Sequence, residues 1–229
     1  MPHPQNRIIH RLPPAARRQL LEHCELFELV LSAELSVRGE PLAYAHFPNE
    51  GFLSLVIDVD SHPALEVGMV GAESMFGSEL VLGRAATPWR ALVQGAGSSW
   101  RIGAAQLRAQ SDAIPALQKL LHACLLARLH QQTLASACQR YHAIAPRLAR
   151  WLLMSQDRSR TESFHVTQEF MALMLGVRRV GVTEAASHFQ DSGLIAYHRG
   201  ELTVLDRVAL EEQACSCYAA DKGIYKRLM

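Results

Sequence analysis

Residues 164–206 read FHVTQEFMALMLGVRRVGVTEAASHFQDSGLIAYHRGELTVLD, and this stretch decides the fold. Thr167 is a good N-cap, because its hydroxyl can accept a bond from a free backbone amide. Phe170, Met171, Met174 and Leu175 follow at helical spacing. Gly176 then tolerates the left-handed conformation of a tight inter-helix turn. A second helix starts near Arg178, with Val182, Ala185, Ala186 and Phe189 as its buried stripe, and Asp191-Ser192-Gly193 ends it. Short strands Leu194–Tyr197 and Glu201–Leu205 flank His198-Arg199-Gly200, the pattern of a wing. Helix, turn, helix and hairpin in this order spell a winged helix-turn-helix.

Such a module reads duplex DNA by laying its second helix in the major groove, N-terminal half toward the bases. Arg178 and Arg179 stand there. An arginine can pair with both acceptors of guanine or clamp a phosphate. Gly181 is expected to let the backbone approach closely. Thr183 and Glu184 lie one turn on, and Glu184 can accept from a cytosine amino group. Thr167 and Gln168 open the first helix, whose amino end suits a phosphate, and Arg199 sits at the tip of the wing. The plain alternative is a helical hairpin in an interior with two solvated arginines.

Working outward, a helix is expected over Pro146–Gln156, followed by the polar stretch Asp157–Ser163. That stretch is expected to be a plain solvated loop, the alternative being a contact for RNA polymerase. Upstream, Ala104–Ser111 reads as a brief helix. Asp112 is expected to cap a long one with Pro115 in its first turn. Ile114, Leu117, Leu121, Cys124 and Leu125 line one side of it, and Leu120, Leu126, Leu129 and Leu134 widen the apolar face. A helix so long and apolar is expected to pair with a second copy of itself, the alternative being a buried helix in a monomer. Before it, residues 25–103 carry short apolar runs: Leu26–Leu31, Leu42–Phe47, Phe52–Val59, Leu65–Val70, Ala91–Gln94 and Ser99–Ile102. Turn-like segments such as Pro48-Asn49-Glu50-Gly51 and Gly95-Ala96-Gly97 separate them, which predicts a β-roll. A short helix over Pro13–Cys24 precedes the roll.

The chain has 229 residues, 49% of them hydrophobic and 20% charged, with a net charge of +1. Two modest domains fit that length, and near neutrality argues against wholesale nucleic-acid coating while leaving room for a local basic reader. No apolar run reaches the ~18 residues that span a bilayer, and Met1–His10 lacks a secretory apolar core, so the expectation is a cytoplasmic protein without membrane contact. Five cysteines are present. Cys24, Cys124 and Cys138 sit among apolar neighbours, while Cys215 and Cys217 have no second pair in the sequence to complete a zinc site. Five reduced thiols, no metal and no cofactor are expected.

Leu175-Gly176-Val177-Arg178-Arg179 with Val182-Thr183, then Ser192-Gly193-Leu194-Ile195 and Arg199-Gly200, resemble the Crp–Fnr regulators, the catabolite-activator-like family. Phe47-Pro48, Gly51-Phe52, Val70-Gly71-Ala72-Glu73 and Arg147–Leu153 extend the likeness over nearly the whole chain. The resemblance implies an α+β chain: a cyclic-nucleotide-binding-like β-roll (residues 1–111), a dimerisation helix (112–140) and a winged helix-turn-helix (141–229). It implies a homodimeric, non-enzymatic transcription regulator on a two-fold promoter site.

In cyclic-nucleotide-binding members a Gly-Glu-Leu turn and a later Arg-Ser pair hold the ribose and phosphate. This chain reads Gly77-Ser78-Glu79-Leu80, with an extra serine, and Thr87-Pro88-Trp89-Arg90 where Arg-Ser would fall. Proline removes a donor and tryptophan offers no anion contact. The expected state is a kept fold with the ligand changed or absent. Gly77, Ser78, Glu79, Arg84, Arg90, Gln132 and Thr133 are the candidate effector residues, for an unnamed small molecule. Cys24 alone does not make the N-terminal cysteine cluster of oxygen sensors. His46, His62, His122 and His130 are expected as packing or surface residues rather than haem ligands. A cupin-like enzyme is disfavoured because the strand region has no His-x-His, and neither a nucleophile elbow nor a phosphate loop is present. The family reader has Arg-Glu at the head of its second helix and Arg one turn later. Arg179-Val180 and Glu184 stand there, so a different operator is expected.

Overall fold

The computed structural model describes residues 6–60 and 64–228. His62 lies outside the described residues. Two short helices open the chain, α1 (Arg7–Arg11) and α2 (Pro14–Leu21). Buried Asn6 caps α1 by accepting from the Ile8 amide at 3.0 Å, and its own amide donates to the Pro48 and Ser74 carbonyls.

The roll follows, with β1 (Glu25–Leu29), β2 (Glu34–Ser36), β3 (Tyr44–Ile57), β4 (Leu65–Val70), a 3-10 turn (Ser78–Leu82) and β5 (Arg90–Gly103). The sheet runs β1-β5-β3-β4, with β2 also on β5, and its strand pairings are antiparallel. The strands are fewer and longer than the sequence pattern predicts. Pro48–Gly51 and Gly95–Gly97 do not turn the chain but lie inside two strands of 14 residues each. They are bulges, where the β3–β5 register shifts three times. A Cβ on Gly51 would stand 2.2 Å from the Gly95 oxygen, and one on Gly97 would stand 2.3 Å from the Glu50 oxygen. The glycines are there because the two backbones nearly touch.

Side chains on β3 alternate between two cores, as strand geometry requires. Leu53 and Leu55 enter the roll interior with Phe47, Phe76 and Val93, while Phe52, Val56 and the neighbouring Met69 join the C-terminal core. The strand reads as a continuous apolar run because both of its faces are covered.

Helix α3 (Ala104–Ala113) is longer than expected and absorbs Asp112, which is exposed and does not cap α4 (Pro115–Tyr141). Pro115 starts α4, and Ile114, without a side-chain bond, occupies the cap position. Leu117, Leu121, Cys124 and Ala127 of α4 are buried on the roll, whereas Leu126 and Leu129 remain exposed.

The C-terminal part comprises α5 (Ile144–Ser159), β6 (Ser163–His165), α6 (Gln168–Leu175), α7 (Arg179–Asp191), β7 (Ile195–His198), β8 (Glu201–Val204), α8 (Arg207–Gln213) and α9 (Cys217–Leu228). The wing has three strands, β6-β8-β7, one more than the sequence pattern predicts. Trp151, Leu152, Met171, Val182, Phe189 and Ile195 form its core. The last helix, α9, lies along α4 and places Ile224 and Tyr225 in the roll's core, with the Tyr225 hydroxyl 3.0 Å from Gln131 Oε1. No helix among the described residues is long and apolar enough to cross a membrane.

Candidate nucleic-acid interface

Thr167 caps α6 as expected, its hydroxyl accepting from the Phe170 amide at 3.0 Å. Gly176 ends the helix at φ 63°, and the Arg147 guanidinium donates to the Leu175 carbonyl there. Arg178 occupies the cap position of α7 and Arg179 its first turn, both exposed, and that turn carries no acidic residue. Val180, Glu184 and Ser187 follow on the exposed face, and the opposite stripe (Val182, Ala185, Ala186, Phe189) is buried.

The predicted readers therefore share one surface, with two differences of role. The Thr183 hydroxyl lies 2.7 Å from Gln168 Oε1 and 3.1 Å from the Arg179 carbonyl, so Thr183 and Gln168 tie α7 to α6. Gly181 serves an intrachain contact: a Cβ there would stand 2.5 Å from Ile144 Cδ1 at the start of α5. Val180, named in the sequence only as a departure from the family reader, joins this surface. It is a large exposed apolar residue one helical turn before Glu184, a side chain suited to a thymine methyl.

The wing brings Arg199 to the same side. It sits at φ 50° before Gly200 at φ 87°, the two-residue turn geometry that follows the strands' twist. Thr167, Gln168, Arg179, Tyr197 and Arg199 line one cleft between wing and reading helix. Glu169 lines it too, but the two guanidinium groups outnumber that single carboxylate, a balance that suits a phosphate.

The reading domain is docked on its own roll. Arg178, Arg179 and Gly181 line a second cleft together with Val59, Ala64 and Leu65 of the roll. Arg158 of α5 pairs with Glu73 at 2.9 Å, the arginine buried and the carboxylate largely so. Trp151 Nε1 donates to Glu66 Oε1 at 3.0 Å, and Ser54 donates to the other oxygen at 2.5 Å. Burial pushes the Glu66 carboxyl up from 4.5 to about 7, against the lowering effects of those two bonds and of Arg158 and Arg150. The fold thus favours neutral Glu66. That contribution is complete below the ordinary carboxylate value and is lost as pH rises through about 7. Glu66→Gln keeps an acceptor for Trp151 without the charge. Thermal melts from pH ~5 to pH ~8 should show Tm falling in the parent and a flatter profile in the variant. Parallel profiles would show that Glu66 is not the source of the pH dependence.

The effector residues are only partly brought together. Gly77 (φ 88°) leads into the 3-10 turn, where Ser78 and Glu79 are buried. Arg84 is exposed, and Arg90 is held by Glu34 at 2.9 and 3.1 Å and by Asp58 at 3.6 Å, away from Glu79. Thr133 is exposed with its hydroxyl donated to the Leu129 carbonyl, and Gln132 is half-buried. The residue that reaches Glu79 is Arg128 of α4, which the sequence reading missed. Its guanidinium lies 3.7 Å from Glu79 Oε2, over the Trp89 ring, and donates to the Met75 carbonyl. Ser78 Oγ, both Glu79 oxygens, Trp89 Nε1 and Arg128 Nη1 are buried without hydrogen-bond partners. His46 is a packing residue against Phe27 and Phe76, 3.1 Å from the Ser99 hydroxyl, and burial lowers it to about 4, with Arg101 adding to the effect.

Residues 146–213 match the family model of the Crp-like helix-turn-helix domain. No curated protein matches the chain by sequence. Among solved structures, FixK2 from Bradyrhizobium japonicum is 14% identical at a TM-score of 0.70, over 84% of this chain and 98% of that one. A CRP-family transcriptional regulator from Thermus thermophilus is 19% identical at 0.68, over 83% and 96%. The c-di-GMP-responsive global regulator CLP of Xanthomonas campestris is 15% identical at 0.67, over 84% and 99%. Residues 146–213 are a DNA-binding helix-turn-helix domain of the Crp-like kind, carried on a chain with the fold of the CRP/FNR transcriptional regulators.

Proposed function

We propose that this protein is a cytoplasmic transcription regulator that binds a two-fold site in promoter DNA as a homodimer. The observation that carries the reading is the exposed surface of Arg178, Arg179, Val180 and Glu184 beside Arg199, with a buried stripe behind it. Exposed Leu126 and Leu129, one helical turn apart on α4, support pairing of that helix with a second copy. A symmetric dimer implies half-sites about one DNA turn apart.

The orphaned polar atoms around Glu79, Trp89 and Arg128 support a small effector at the junction of roll and α4. The engagement of Arg90 by Glu34 and Asp58 speaks against a cyclic-nucleotide site of the familiar kind. An effector there would bias α4 and, through residues 141–145, the spacing of the two reading heads. Asp157, Arg158 and Ser159, expected as the start of a solvated loop, instead belong to α5. There Asp157 bonds Arg207 and the Tyr218 hydroxyl and Arg158 is buried, which leaves residues 160–162 as the candidate polymerase contact.

Selection from a random-sequence duplex pool tests the reading. The expected product is an inverted repeat, and Leu126→Glu with Leu129→Glu should yield a monomer that no longer binds it. A non-repeated product, or unchanged binding by a monomeric variant, would overturn the homodimer.

A further inference from the structure

Four side chains that lie far apart in sequence meet at the joint between α4 and the reading domain. Cys138 lies in the last turn of α4 and His142 caps its end, while Cys215 precedes α9 and Cys217 begins it. The Cys138 and Cys215 sulfurs are 3.6 Å apart, and the Cys217 sulfur is 3.7 Å from His142 Nδ1. All four candidate ligand atoms lie within 4.8 Å of one another.

We propose that Cys138, His142, Cys215 and Cys217 form a structural zinc site. Zinc bonds of about 2.3 Å to sulfur and about 2.0 Å to nitrogen, in a tetrahedron, put ligand atoms about 3.5–3.8 Å apart. The Cys138–Cys215 and Cys217–His142 edges fall in that interval, and the other pairs lie within 4.8 Å. Four protein ligands leave no open position, the pattern of a structural rather than a catalytic zinc. The residue types agree, since thiolate and imidazole together select zinc over calcium or magnesium. The three cysteines are buried and His142 is half-buried, with Leu134 packed against the sulfurs.

The surroundings fit the charge of the loaded site. Binding takes Zn²⁺ and releases three protons, one from each thiol, while His142 stays neutral and coordinates through Nδ1. The product carries one net negative charge. Arg147 and Arg150 lie close enough to act electrostatically on these thiols, and buried Arg150 Nε has no hydrogen-bond partner. A guanidinium N–H near coordinated sulfur is a typical outer partner of such a site.

The placement gives the metal a mechanical role. One pair of ligands ends α4 and the other begins α9, and α5 leaves the joint between them, with the Cys215 amide 3.4 Å from the Pro146 carbonyl. A zinc there clamps the joint at residues 141–145 and holds α9 along α4. Its loss frees both.

The test is metal analysis of the full chain purified under reducing conditions from zinc-supplemented cells. About one zinc per chain is expected, released to a colorimetric indicator by a thiol-modifying mercurial. Cobalt substitution should give the intense visible bands of a tetrahedral site with sulfur-to-cobalt charge transfer. Cys24→Ser should keep the metal, and Cys217→Ser should lose it. If Cys217→Ser does not fold, the cobalt spectrum of the parent still decides. A parent chain without zinc and with only the weak spectrum of octahedral cobalt would overturn the site. So would a Cys138–Cys215 disulfide in its place, iron with acid-labile sulfide, or full zinc content in a soluble Cys217→Ser variant.

Discussion

Replacing Arg178 and Arg179 together by Ala is expected to abolish specific DNA binding while leaving the fold intact or slightly firmer. Each arginine that reaches a base edge contributes about 1–3 kcal/mol, so the pair is worth about 30-fold to 10⁴-fold in affinity at fixed salt. If both contact phosphate instead, the salt slope falls by about two and binding weakens on every sequence alike. The stability effect has the opposite sign. Both arginines stand at the amino end of α7, where the helix dipole disfavours positive charge, and no acidic residue in the first turn offsets them. Removing them should raise stability by about 0.3–1 kcal/mol. Fluorescence anisotropy across a salt series, with a thermal melt of the same samples, separates the cases. Affinity lost in proportion to lost stability would make the arginines structural, and unchanged affinity would place the reading surface elsewhere.

The reading head was legible in the sequence because each of its signals is local. Thr167, Gly176 and the stripe from Val182 to Phe189 act within a few residues of themselves, and the structure has cap, turn and buried face at those positions. The roll was legible in kind but not in segmentation. Gly51, Gly95 and Gly97 look like turn residues, yet their lack of a side chain is used across the ribbon by a strand more than forty residues away. Asp112 looked like a cap because its type suits one, but α3 runs past it and Pro115 begins the next helix.

What the sequence hid was long-range convergence. Arg128 sits in the apolar stripe of α4 at a position that gives no hint of Glu79 or Trp89. Cys215-Ser216-Cys217 lacks a second pair by spacing alone. That pair is Cys138 and His142, supplied only when α9 folds back along α4. Gly181 suggested closeness to DNA, and the space is taken by Ile144 of the same chain.

The second large effect is expected at Arg158, which fastens α5 to the roll. Its Nε is 2.9 Å from Glu73 Oε1, its Nη1 donates to the Met154 carbonyl, and it lowers the neighbouring Asp221, a carboxyl that burial raises. Glu73 also accepts from the Gly71 amide, so it is held in place whether or not the arginine is present. Arg158→Ala leaves two largely buried carboxyl groups, Glu73 and Asp221, without their common cation, with Arg150 still acting on Asp221. Breaking a buried pair by removing one partner costs about 3–5 kcal/mol, a large share of a domain's stability. The loss should depend on pH. Uncompensated buried carboxyls are pushed up, and groups raised in the folded state contribute stability at low pH that disappears as pH rises through their folded values. The variant should therefore recover part of its deficit on acidification and lose it again toward neutrality. Arg158→Met with Glu73→Leu removes both charges of the pair and fills the volume, leaving only Asp221 without the arginine, and it should lose less stability than the single variant. Denaturant titrations of the three proteins at two pH values measure this. A double variant as unstable as Arg158→Ala would assign the cost to lost packing around the arginine's stem instead of to the unpaired charge.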